Sequence, residues 1–398
     1  EAVFAAPGNA GTASRGDNWN IAATDGKALA EHAKKARIDL VVLGPETAIA
    51  AGVGDRLREA GIPVFGPNRS SGRLESSKIF AKRFLERHRI PTATAQVAHS
   101  LPQALGILGD WPHFGVAIKA DGLAAGKGVV VTPDLKTAGA IVADWYANSV
   151  PGGGSDVLFE EVLEGRELSV FAICDGRAML PLAAACDYKR AGEGDTGPNT
   201  GGMGAYSPPA GFPGDYLDVV REKVIAPTLR GLLAEGEEYV GVLYCGLMWT
   251  ADGPKVLEFN ARFGDPETQA LMPRVQGDFA RLLQSAATGV LEADTATFAR
   301  DACVCVTLVS KDYPSASTPV SGLPPTLELP EDALAFWGSS KRTNGRVDAA
   351  GGRVLTVAGT GKHLNEARVL AYEAVARVEA QFGYQAGLSF RRDIARTP

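Results

Sequence analysis

Apolar residues in this chain gather in short runs that stop at glycine or proline. Leu40-Val41-Val42-Leu43 ends at Gly44-Pro45, and Pro63-Val64-Phe65 ends at Gly66-Pro67. Runs this short, apolar on both faces, predict buried parallel strands. Around them, Gly26 to Ala36 and Val53 to Ala60 predict helices, the second leaving at Gly61. Strand and helix in alternation predict a doubly wound sheet.

Ser76 to Arg87 predicts a helix with Ser76 or Ser77 as its N-cap, and Pro91 marks the next break. Val116 to Lys119 predicts a strand that runs into a Gly-rich segment, Asp121 to Gly128, and Val129 to Val131 leads out of it. That is a hairpin with a mobile tip. Val157 to Phe159 and Leu168 to Phe171 predict further strands. Asp187 to Gly204 is polar, rich in glycine and without periodicity, so it is expected to be disordered, solvated or wrapped around a ligand. Tyr216 to Glu235 predicts a helix, and Gly241 to Thr250 with Lys255 to Asn260 a hairpin around Asp252-Gly253. The carboxy-terminal stretch predicts a separate β-rich unit, with strands at Ala302 to Val309 and Arg353 to Ala358 and a helix from Leu364 to Ala380.

Bulk properties narrow the function. A length of 398 residues suggests roughly two to four domains. A net charge of -6 argues against broad nucleic-acid binding. No apolar run approaches the ~18 residues of a membrane span. The cysteines, Cys174, Cys186, Cys245, Cys303 and Cys305, show no metal-ligand spacing, and their odd number reads as reduced and cytoplasmic.

Some segments carry chemistry. Lys119-Ala-Asp-Gly-Leu-Ala-Ala-Gly-Lys-Gly128 combines glycines, which let the backbone approach phosphate oxygens, with lysine charge. It is not a Walker A loop, because three residues separate Gly122 from Gly126 and Gly128 follows Lys127. In Val256-Leu-Glu-Phe-Asn-Ala-Arg262, alternation places Glu258, Asn260 and Arg262 on one face and Leu257 and Phe259 on the other. A carboxylate beside an amide oxygen suits Mg²⁺, and Arg262 could steady a moving phosphoryl group. The Gly264 to Glu267 turn would hold Asp265 and Glu267 near Arg262. Glu160, Glu161 and Glu167 make an acidic strand end that could meet adenine and ribose. Taken singly, each segment also fits a bland role: a solvated hairpin tip, the polar face of a strand, a salt-bridged turn.

Together the segments resemble the ATP-grasp superfamily, and within it the phosphoribosylamine–glycine ligase family. The resemblance rests on Ala6 to Thr12, Gly44-Pro-Glu46, Ile118 to Val129, Asp187-Tyr-Lys-Arg190, Gly194 to Pro208 and Leu257 to Gln269, in the family's order. Gly194 to Pro208 and Leu257 to Gln269 are the most specific of these. The resemblance implies ATP-dependent joining of glycine to 5-phosphoribosylamine through glycyl phosphate, with Mg²⁺ or Mn²⁺, in a monomeric cytoplasmic enzyme without nucleic-acid or membrane partners. By carry-over, Lys78 and Lys119 hold ATP phosphates, and Gly122, Gly126, Lys127 and Gly128 close over them. Glu160, Glu161 and Leu163 frame adenine, with Glu167 on the ribose. Glu258 and Asn260 bind metal, and Arg262 and Lys119 are catalytic. Asp187, Lys189, Asn199, Thr200 and Asp265 shape the glycine and ribosylamine pocket, and Asn9, Gly11, Thr12 and Glu46 lie on the ribosylamine side.

The implied architecture joins α/β and α+β parts. An amino-terminal doubly wound parallel-sheet domain is expected over 1–75, an ATP-grasp domain over 76–298 with a lid at about 93–163, and a β-rich domain over 299–398. Family members open with a strand and a loop reading like Gly-Ser-Gly-Gly-Arg-Glu-His. No such segment is present, so the first strand and part of the ribosylamine phosphate site are expected to be missing. Gly246 stands near the place of a second acidic metal ligand, and Tyr188 where His is common. The rival readings are another carboxylate–amine ligase of the superfamily, against which the Asp187 to Pro208 segment argues, and a catalytically silent homologue.

Overall fold

The computed structural model describes residues 2–124, 128–383 and 387–396. Gly126 and Lys127, both expected at the nucleotide site, lie outside the described residues.

The amino-terminal strands are short. Val41–Val42 pairs in parallel with Val64–Phe65, and Phe4–Ala5 pairs in parallel with Asp17–Asn18 in a separate sheet. The helix Gly26–Ala36 follows Asp25, whose carboxylate accepts the Ala28 amide at 3.0 Å. Lys34 and Lys35 in its last turn suit the negative end of the helix dipole. It packs on helix Val53–Glu59, and Val53, Leu57 and Val64 bury the interface.

Helix Lys78–Arg87 starts after Ser77, whose hydroxyl accepts the Phe80 amide at 3.1 Å. Next comes a four-stranded antiparallel sheet in the order Ala95–Ala98, Val157–Glu160, Val116–Ala120, Val129–Thr132. Helices Leu101–Gly109 and Leu135–Asn148 belong to this layer. Ala104, Ile118, Val142, Trp145 and Phe159 form its own apolar cluster, distinct from the main core.

A second antiparallel sheet runs Met179–Pro181, Arg166–Asp175, Val240–Thr250, Gly253–Asn260. Its last pair is the expected hairpin, with a bulge: Glu258 faces Gly246 and Val256 faces Leu247, which leaves Leu257 unpaired. The bulge corrects the simple alternation. Val256 and Phe259 are buried, while Leu257 comes to the same cavity as Glu258 and Asn260.

Much of the Asp187 to Gly204 segment is ordered as short strands. Arg190–Gly192 and Thr196–Asn199 make a small antiparallel hairpin. Cys186–Asp187 and Gly204–Ser207 enter a five-stranded sheet with Ala302–Val309, Arg353–Gly361 and Ala333–Trp337. The β-rich carboxy-terminal region therefore shares its sheet with the polar segment. Helix Leu364–Phe382 covers that sheet with buried Ala367, Ala371, Ala374, Val375 and Val378. Between Tyr216–Val220 and Ala226–Ala234 the helix widens into a π turn, Arg221–Ile225. Pro227 has no N–H for a bond one turn back, and the looser turn accommodates the loss. No helix among the described residues is long and apolar enough to cross a membrane.

Candidate active site

The amino-terminal region and the three larger sheets all contribute to the lining of a cavity of about 660 Å³. Its wall carries Glu46, Lys78, Lys119, Gly122, Gly128, Glu160, Asp187, Lys189, Thr200, Glu258, Asn260, Arg262 and Asp265. Residues singled out from distant motifs thus face one space.

On the nucleotide side, Asp121 docks the Gly-rich segment on the start of helix Lys78–Arg87. Its Oδ1 accepts the Ile79 amide at 3.1 Å and, with Oδ2, the Ser77 hydroxyl at 3.1 Å. Lys78 donates to the Gly122 carbonyl at 3.0 Å. Lys119 donates to the Leu257 carbonyl at 2.9 Å and pairs with Glu160 Oε2 at 2.7 Å. The other oxygen of Glu160 pairs with Lys82 at 2.8 Å. Burial works to raise the Glu160 carboxyl, and the two ammonium groups outweigh it and hold it below its ordinary value. Burial lowers Lys78 and Lys82.

At the end of strand Gly253–Asn260, Glu258 and Asn260 present oxygen donors to the cavity. These fit a hard divalent cation that keeps phosphate oxygens and water as its remaining ligands. Gly246 lies directly opposite Glu258 and brings no carboxylate. Among the described residues no group of three or more His, Cys, Asp and Glu forms a metal cluster by itself. Arg262 does not pair with Asp265, as the turn sequence had suggested. Its partners are Glu75 at 3.2 Å, Glu46 at 3.5 Å and Asn260 at 3.4 Å. Glu75 also accepts the Ala261 amide at 2.8 Å. Burial lifts its carboxyl to about 7 against the pull of Arg262.

Elsewhere on the cavity lining, burial raises Asp187 to about 7, against Lys189 and with Glu267, Glu167 and Glu258 adding to the rise. Lys189 pairs with Glu167 at 2.5 Å and Asp187 at 3.7 Å. Burial would lower its ammonium, but Asp187 and Glu167 hold it well above its ordinary value. Glu267 is buried with Tyr244 at 2.5 Å and Ser169 at 3.1 Å.

Other expected residues lie off this wall. Glu161 accepts the Thr94 amide at 2.9 Å, and Leu163 follows it along the chain. Glu167 reaches the site only through Lys189. Asn199 pairs with Arg190 in the small hairpin. Asn9 folds a turn in which its Oδ1 accepts the Gly11 and Thr12 amides at 2.8 and 2.9 Å, and its Nδ2 donates to the Trp337 carbonyl at 2.8 Å. Sequence reasoning missed Glu75, Lys82, Tyr244, Tyr313 and Arg353. Lys82 sits one turn after Lys78 on one helix, a spacing that could have found it. Arg353 had no such signal.

Comparison with known proteins agrees along the whole chain. Residues 1–75 match the phosphoribosylglycinamide synthetase N domain, 76–268 its ATP-grasp (A) domain and 303–397 its C domain. A phosphoribosylamine–glycine ligase of Leifsonia xyli subsp. xyli is 44% identical over 401 residues, covering 99% of this chain and 93% of that protein. One from Caulobacter vibrioides is 42% identical, covering 98% and 91%. The crystal structure of the Thermotoga maritima phosphoribosylamine–glycine ligase superposes with a TM-score of 0.84 at 33% identity, covering 99% of this chain and 94% of that one. The biotin carboxylase domain of the Hydrogenobacter thermophilus 2-oxoglutarate carboxylase shares the fold, with a TM-score of 0.71 at 12% identity. The chain belongs to the phosphoribosylglycinamide synthetase family.

Proposed function

We propose that this chain is an ATP-dependent ligase that joins glycine to 5-phosphoribosylamine, giving glycinamide ribonucleotide, ADP and phosphate, in purine synthesis. The observation that carries the reading is the cavity that gathers Lys119, Glu258, Asn260 and Arg262 with Asp187, Lys189, Thr200 and Asp265.

A carboxylate is a poor acyl donor, and phosphorylation of glycine supplies a leaving group. Lys78 and Lys119 bind the nucleotide phosphates from the helix start and the lid strand. Gly122 and Gly128 border them. The strand end Glu160 to Leu163 borders the adenine through its backbone, and Glu167 lies toward the ribose. Glu258 and Asn260 would hold Mg²⁺ or Mn²⁺, which would neutralise phosphate charge. Arg262, aimed by Glu75 and Glu46, stabilises the charge that develops as the phosphoryl group moves. Asp187, Lys189, Thr200 and Asp265 orient glycine and the attacking amine, so positioning supplies much of the rate. Asn9, Gly11, Thr12 and Glu46 belong to the ribosylamine side. Glycyl phosphate hydrolyses in water, and closure of the Gly-rich segment keeps water out.

The test is ADP release from the full chain with Mg·ATP, glycine and freshly made phosphoribosylamine, each omitted in turn. The reading requires ADP only when all three are present. Nucleotide binding with no turnover would favour a silent homologue.

A further inference from the structure

We infer that Arg353, on the carboxy-terminal sheet, is a positioning residue that shapes the substrate side of the cavity by locking two of its turns together. One guanidinium nitrogen donates to the Gly201 carbonyl at 2.7 Å, the Asp265 carbonyl at 2.9 Å and Asp265 Oδ1 at 3.0 Å. The other meets Asp265 Oδ2 at 2.8 Å. A planar fork can hold a carboxylate and neighbouring carbonyls at once, which a lysine ammonium cannot reproduce.

The turn at Gly201 has a second tether, because its N–H donates to the Tyr313 hydroxyl at 2.9 Å. There is little slack between turn and latch. A Cβ at position 201 would stand 3.2 Å from the guanidinium carbon of Arg353. The constraint passes along the chain. Thr200 binds the Lys189 carbonyl through its amide at 2.7 Å and its hydroxyl at 2.8 Å. Lys189 and Asp265 both stand on the cavity wall. The Asp265 side chain is 52% exposed, so its direction depends on polar contacts rather than on packing: the Arg353 fork and one bond from Gln269 Nε2 at 2.8 Å. Lys119, Glu258 and Asn260 sit on other strands and do not touch the latch. Loosening Arg353 therefore disturbs the substrate side selectively.

This inference rests on the ligase reading, and the test separates the two. Arg353→Lys and Gly201→Ala disturb the latch from opposite sides. In both variants the KM for glycine or phosphoribosylamine should rise about tenfold or more, the loss of one to two charge-assisted hydrogen bonds. The dissociation constant for Mg·ATP, measured by calorimetry, should stay within about twofold. Amide exchange at Gly201 and Gly202 should speed up in Arg353→Lys whatever the activity. Wild-type KM values in both variants, nucleotide affinity lost in parallel, or unchanged exchange at Gly201 would each overturn the inference. Absence of ADP release from the wild-type chain would instead overturn the ligase reading, and the exchange measurement would still decide the role of Arg353.

Discussion

At Glu75 one carboxylate oxygen takes the Ala261 amide and the other meets the Arg262 guanidinium. The same burial that makes this contact firm opposes ionisation, so the group titrates near 7 in the fold against an ordinary 4.5. Between those values the folded chain keeps a proton that the unfolded chain has released. Stability from this group is therefore full at low pH and falls as pH rises through the window. Glu75→Gln removes the titration. Thermal melts at about pH 5 and about pH 8 should show a smaller drop in the variant than in wild type. An equal drop would mean that Glu75 is not the group. Glu258, on strand Gly253–Asn260, has a different task from Glu75 on helix Arg73–Ser76. Glu258→Ala should cut the rate of ADP release by about a thousandfold or more while leaving the melting temperature and circular dichroism unchanged. Near-normal turnover would sink the metal assignment. Glu258 and Asn260 were legible in the sequence because they stand on one strand, with Arg262 two residues past its end. Glu75 was not, because the contacts that give it meaning come from residues far along the chain.

Among elements, one buried joint is the Lys82–Glu160–Lys119 cluster. It ties helix Lys78–Arg87 to strands Val157–Glu160 and Val116–Ala120. All three side chains are under a tenth exposed, so solvent screens them little. Lys82 also donates to Thr92 Oγ1 at 2.6 Å and the Ala93 carbonyl at 2.9 Å. Lys82→Met keeps the stem and removes the charge, leaving Glu160 with one counterion. Breaking a buried pair from one side costs about 3 kcal/mol or more, and that loss should appear in chemical denaturation. A loss below about 1 kcal/mol would show that water replaces the ammonium. Helices such as Gly26–Ala36, Lys78–Arg87 and Leu364–Phe382 and the longer strands were legible from periodicity, whereas helices Leu101–Gly109, Leu135–Asn148 and Phe279–Ala287 and many short strands were not. The bulge at Leu257 was not, because it depends on the opposing Gly246 and Leu247. The Asp187 to Gly204 hairpin escaped detection because its composition resembles a loop. Part of its order comes from Arg391, 1% exposed, which pairs with Asp195 at 2.8 Å and donates to the Arg190 carbonyl at 3.0 Å.

Across the whole molecule, the arrangement of cores bears on how the cavity closes. The sheet that carries Lys119 and Gly128 packs on its own cluster, from Ala98 to Phe159. Its ties to the rest include polar contacts at the cavity, those of Asp121, Lys78, Lys119 and Glu160. A layer with a separate core and a polar seam can swing as a unit without exposing apolar surface. The nucleotide phosphates would compete for the same lysines and re-form the seam around themselves. Two surface positions can report this. Val131, 43% exposed, lies on the hairpin strand beside the cavity, and Val369, 57% exposed, on the helix behind Arg353. The native cysteines are all buried. Cysteines introduced at those two positions should therefore accept a donor and an acceptor dye selectively. Mg·ATP should bring the pair closer and raise energy transfer, because Val129 of the hairpin strand and Arg353 both line the cavity and closure would draw its lining together. Transfer that is the same with and without Mg·ATP would mean that the layer is already closed, and water exclusion would then have to come from the Gly-rich segment alone.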